Sequence, residues 1–100
     1  MLELEEAKVF LNIDYDDYDV ELQEKIDESV VDIYTSTGAE LDQVMKNGST
    51  YLQKLYKLVQ KMIIRDYFEE KTTVNMALIA QYLKLEGLYR KESKTWQVTQ

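Results

Sequence analysis

The sequence predicts an all-α fold, a small bundle of four main helices with room for a short extra helix near residues 40–46. Three observations carry this expectation. The chain has no proline and only three glycines in 100 residues, so the strongest helix breakers are almost absent. Apolar residues recur three and four apart through most of its length, the period of a helix with one buried face. Apolar residues make up 45% of the chain and charged residues 31%, which suits one folded core at this size but not two. A single domain over residues 1–91 is expected, followed by a polar C-terminal tail over 92–100.

A first helix is expected from Leu2 to about Asn12, with Leu4, Ala7, Phe10 and Leu11 at helical spacing. The run Asp14-Tyr15-Asp16-Asp17-Tyr18-Asp19 breaks that pattern and offers aspartates to cap the next helix and favour its positive end. The second helix, Val20 to Thr37, places Leu22, Ile26, Val30, Ile33 and Thr37 in one stripe. Glu21, Glu24, Glu28 and Asp32 lie on the other side. Glu21 and Lys25, four apart, stand in the favourable order for an ion pair. Gly38 is placed to close this helix, and Glu40 to Lys46 forms at most a short one, ended by Asn47-Gly48.

Thr50 and Gln53 make a capping box for a third helix over Tyr51 to Glu70. Its stripe is Leu52, Leu55, Tyr56, Val59, Met62, Ile63 and Tyr67. Ile64 and Phe68 fall instead on the otherwise polar face with Gln53, Lys57 and Lys61, and Asp66 falls inside the apolar arc. Thr72 or Thr73 is placed to cap a fourth helix, Val74 to Lys91. This last helix carries two apolar stripes, one of Met76, Ile79, Ala80, Leu83 and Gly87, the other of Leu78, Tyr82, Leu85 and Tyr89. One stripe can face the core; the other is more apolar surface than a monomer of this size leaves in water.

The composition excludes several kinds of chemistry. With no cysteine and no histidine, there is no disulfide, no thiolate nucleophile, no ordinary zinc site and no imidazole base. No phosphate-cradling glycine loop is present, and the serines match no nucleophile motif. The acidic loop fails as a calcium loop: starting at Asp17, the sixth position, which needs glycine, is Leu22. Neither an enzyme, nor a metal, nor a cofactor is expected. Met1 leads into Leu-Glu-Leu-Glu-Glu rather than a basic and then apolar stretch, so no signal peptide is expected. No apolar run is long enough to span a bilayer, and a cytoplasmic setting fits. The net charge is −7, but residues 1–50 hold 14 acidic and three basic side chains, while residues 51–100 hold five acidic and nine basic. Nucleic acid is not an expected partner of the first half, since phosphate contacts need lysine and arginine. Either the charged faces simply sort by sequence, or the molecule has an acidic and a basic side suited to head-to-tail contact with copies of itself.

The candidate interaction residues are Ile64, Asp66, Phe68, Leu78, Tyr82, Leu85, Tyr89 and Trp96. Asp66 is either a carboxylate satisfied by a helix terminus or a basic side chain, or an interface group meeting a lysine or arginine of another copy. Ile64 and Phe68 either cover part of the core or anchor a partner. Trp96 either folds back on the domain or docks on another protein.

Taken in order, several segments resemble the family of tailed-phage head–tail connector proteins. The run Ala7-Lys8-Val9-Phe10-Leu11-Asn12-Ile13-Asp14, the Asp-rich loop, and Leu22…Ile26…Val30…Ile33…Thr37-Gly38 resemble its opening. Leu58-Val59-x-x-Met62-Ile63-Ile64-x-Asp66-Tyr67-Phe68-Glu69-Glu70-Lys71 resembles its third helix, and Leu78-Ile79-x-Gln81-Tyr82-Leu83 its closing segment. The resemblance covers residues 3–90; Lys71, where arginine is common, and Gly87, within the last helix, depart from the pattern. It implies a structural role: a ring homo-oligomer, twelvefold to match the portal protein, that extends the DNA channel and docks the tail or a stopper protein. The ring would sit at the head–tail junction of the virion, with Glu21, Glu24, Glu28 and Asp32 as the candidate acidic lumen face. The alternative is a small acidic regulator, antitoxin-like or a DNA mimic, that binds one basic protein.

Overall fold

The computed structural model describes residues 1–70 and 73–96. Over these the chain is all-α, with five helices in order: α1 (Leu4–Leu11), α2 (Asp19–Thr37), α3 (Leu41–Asn47), α4 (Thr50–Phe68) and α5 (Met76–Trp96). The segment after Gly38 is thus a helix in its own right. Glu92 to Trp96, expected in a polar tail, instead continue α5 for more than a turn, and the rest of that tail lies outside the described residues.

The helix ends have clear local causes. Asn12 closes α1 in the left-handed region at φ +60, where asparagine is better tolerated than most residues. Gly38 closes α2 at φ +78, its N–H donating to the Tyr34 carbonyl at 2.8 Å. The α4 cap is Ser49, one residue earlier than the Thr50–Gln53 pair would place it. Its hydroxyl accepts from the Leu52 N–H at 3.1 Å, while Gln53 reaches back to the Met45 and Gly48 carbonyls. The Glu92 carboxylate in turn accepts from the Ser49 N–H and hydroxyl, at 2.8 and 2.7 Å, so the far end of α5 holds the cap of α4. Asn75, not a threonine, caps α5 by accepting from the Leu78 N–H at 3.1 Å; Thr72 lies outside the described residues.

Two apolar clusters share α4 as their spine. Ile33, Ala39, Val44, Leu52, Leu55, Tyr56, Val59 and Leu85 form the larger, where α2, α3, α4 and α5 converge. Leu2, Ala7, Leu22, Ile26 and Ile64 form the smaller, where the N-terminal segment and α1 cover α2 and the second half of α4. Gln60, fully buried, links the segments around the smaller one. Its carbonyl accepts from the Leu2 N–H at 3.1 Å and its amide donates to Ser29 Oγ at 3.0 Å; the Ser29 hydroxyl donates in turn to the Ile26 carbonyl. The result is an elongated molecule, 46 × 27 × 19 Å.

Candidate functional site: an assembly surface

The acidic loop is tied down by a lysine. The Lys8 ammonium, on a side chain only 7% exposed, sits 2.7 Å from Asp16 and 2.9 Å from Asp19. The hydrogen bonds it donates to these carboxylates hold the Lys8 pKa well above the usual lysine range, and the Asp16 carboxyl is held below its ordinary value by the same contact. The N-cap of α2 is Tyr18, with no side-chain cap, so Asp16 and Asp19 anchor α1 instead.

Along α2, Glu24, Glu28 and Asp32 are exposed, whereas Glu21 is half-buried. Glu21 accepts from the Tyr67 hydroxyl at 2.9 Å, a bond that raises the phenol's pKa. Lys25 pairs with Glu28 at 2.9 Å rather than with Glu21, and its ammonium lies 4.1 Å from the Tyr67 ring centroid. Tyr67, expected in the core stripe of its helix, is therefore a surface residue, 39% exposed.

The other candidates divide into core and half-buried groups. Ile64 and Leu85 are fully buried, so neither is a surface anchor of the protomer. Ile64 is covered because Leu2 and α1 lie across a face of α4 that the chain's pattern presents as polar. Asp66 is half-buried and accepts from the Asn75 amide through both oxygens, at 3.0 and 2.8 Å; it orients the cap of α5. Phe68 leans on the smaller cluster and meets Tyr18 and Tyr67 at ring-centroid distances of 6.1 and 5.2 Å. Leu78, Tyr82 and Tyr89 pack against the larger cluster, as does Trp96, whose ring stands edge-on to Tyr89 at 5.4 Å.

The two stripes of α5 thus take the opposite roles to those assigned from the sequence. Leu78, Tyr82, Leu85 and Tyr89 face the core. Met76 and Leu83, 70% and 65% exposed, stand in water with Ile79 and Ala80. A signal was present: Trp96 lies seven residues beyond Tyr89 and extends the inward stripe, whereas the other stripe runs into Arg90, Lys91 and Lys94. Two apolar stripes on opposite sides of one helix leave one unburied after packing.

A family model for phage gp6-like head–tail connector proteins matches residues 1–87. The chain belongs to that family. The matched span takes in α1 to α4 and α5 as far as Gly87, so it includes the exposed apolar stripe. No curated protein and no solved structure matches the chain. As a head–tail connector it is a structural component of the phage particle that assembles with other virion proteins. Among the described residues no helix is long and apolar enough to cross a membrane.

Proposed function

We propose that this connector works as one subunit of a ring, twelvefold like the portal, that extends the DNA channel below the portal and gives the tail or a stopper protein its docking surface. The observation that carries this reading is the unburied stripe Met76, Ile79 and Leu83 on a chain of the connector family. Apolar surface of this extent on a small protomer is covered in an assembly. The acidic first half and basic second half of the chain suit head-to-tail contacts, which close into rings when the rotation allows.

The lumen is assigned to the acidic flank of α2, where like charge keeps DNA from adhering. Of the four acidic residues there, Glu28 and Asp32 are exposed on that flank, Glu28 pairing with Lys25 of the same helix, whereas Glu21 is half-buried against Tyr67 and Glu24 lies on the outer face of the helix. Replacing Glu28 and Asp32 together by lysine is expected to impair DNA retention or ejection, and unchanged infectivity argues against the lumen assignment.

The test of the whole reading is quantitative mass spectrometry of purified phage particles. The chain is expected at about the portal's copy number. Its absence from finished particles, with free protein abundant in the lysate, overturns the proposal.

A further inference from the structure

Gly87 has no explanation inside the protomer. It lies within α5 with an ordinary helical backbone, and a Cβ added there meets nothing within 4 Å. Glycine weakens a helix interior, and nothing in the subunit requires it. Gly87 follows Leu83 by four residues on the outer face of α5, directly away from the core, and beyond it that face turns basic with Arg90 and Lys94. A glycine at such a point lets a second backbone come close.

The outer face of α2 has the complementary character. Val20, 76% exposed, and Val31, 62% exposed, lie on it, Tyr34 stands at its edge beside Leu41, and between the valines stand Glu24 and Asp27. The spacing matches when the helices run antiparallel. Leu83 to Arg90 is seven residues, and Val31 back to Glu24 is also seven, each about 10.5 Å of helix. With Val31 set against Leu83, Tyr34 falls against Ala80, Asp27 against the gap at Gly87, and Glu24 against Arg90. The Arg90 side chain is 71% exposed and only loosely engaged by Glu86 at 3.8 Å, so it can turn to a stronger partner.

We infer that the outer face of α5 docks antiparallel on the outer face of α2 of a second copy of this chain, with Gly87 at the closest approach. The inference rests on the ring reading above and says which faces form the ring contact. Because the two faces differ, the contact is heterologous, and each copy uses one face toward each neighbour.

The chain has no cysteine, so cysteines placed at Val31 and Leu83 are its only thiols. In purified particles carrying the Val31→Cys, Leu83→Cys double variant, a short bismaleimide is expected to give a ladder of multiples of the chain, while each single variant gives none. Dimers from Leu83→Cys alone mean that α5 meets α5 and overturn the inference; so does a crosslink to a portal or tail protein. A double variant that stays monomeric while present at the portal's copy number overturns the inference but leaves the ring reading intact. Absence of the unmodified chain from particles removes the ring reading itself. A charge exchange gives an independent check. Glu24→Arg or Arg90→Glu alone is expected to lose incorporation into particles, and the two together to regain it. Normal entry of either single variant, or no recovery in the pair, overturns the pairing.

Discussion

At the scale of single residues, Gln60 carries more than its size suggests. A polar side chain at the boundary of the smaller cluster costs free energy unless its groups are bonded, and Gln60 is buried because Leu2 and Ser29 use both ends of its amide. Gln60→Leu leaves the Leu2 N–H and the Ser29 hydroxyl without that partner. It is expected to lower unfolding free energy by about 1–3 kcal/mol in urea titrations, and a variant as stable as the parent shows that these groups find other partners. Gly87 gives the reverse case. Gly87→Ala meets no neighbour in the protomer, so it is expected to stabilise the isolated chain by about 1 kcal/mol through helix propensity, read as a higher thermal midpoint. A lower midpoint contradicts this account of the position.

At the scale of elements, α1 is the helix most dependent on charge. Lys8 holds it to the acidic loop, and Lys57 reaches both oxygens of Glu6 at 3.3 Å. The Glu6 carboxyl is held below the ordinary glutamate value, chiefly by its bond from the Glu3 N–H, and Asp16 below the ordinary aspartate value by Lys8. The stabilisation from these carboxylates is therefore complete above their ordinary values and lost as the pH falls through the lower values of the folded state. Lys8, whose pKa is raised above 10.5, contributes fully below that value and loses its contribution only as the pH rises through the higher folded value. The protection of α1 amides against exchange, relative to the intrinsic rate at each pH, is expected to fall between pH 5 and about pH 3 before that of α4 does, and Asp16→Asn to reduce this dependence. Equal protection of α1 and α4 across the range contradicts the assignment. α5 is held differently, by Asp66 acting through Asn75 at one end and by Glu92 on Ser49 at the other.

At the scale of the whole molecule, the two faces of α5 separate folding from assembly. Leu83 is 65% exposed and Leu85 fully buried, although they stand two residues apart. Leu83→Asp is expected to leave the urea midpoint nearly unchanged, within the ~0.5 kcal/mol usual for surface substitutions, yet to remove the chain from phage particles. Leu85→Ala is expected to cost about 2–5 kcal/mol as a buried cavity. Unfolding of Leu83→Asp in isolation contradicts the assignment of the outer stripe to assembly. Leu78 and Phe68 also contact the core clusters, so serine at either position is expected to destabilise the fold and cannot serve as a clean probe of assembly.

The sequence alone determined that the chain is helical, roughly where four of the helices run, that Gly38 closes one of them, and to which family the chain belongs. These follow from local properties: an apolar period, the absence of proline, a residue suited to a left-handed turn, and the order of short motifs. Only the tertiary structure decided which stripe of α5 is buried, since both satisfy the same period and the choice depends on how Tyr82, Leu85, Tyr89 and Trp96 fit the surface made by α2, α3 and α4. It likewise decided that α1 covers Ile64, that Asp66 serves a helix cap, and that the end of α5 returns to Ser49. Each is a contact between residues distant in the chain, and periodicity, which records how often apolar side chains recur, does not record what they meet.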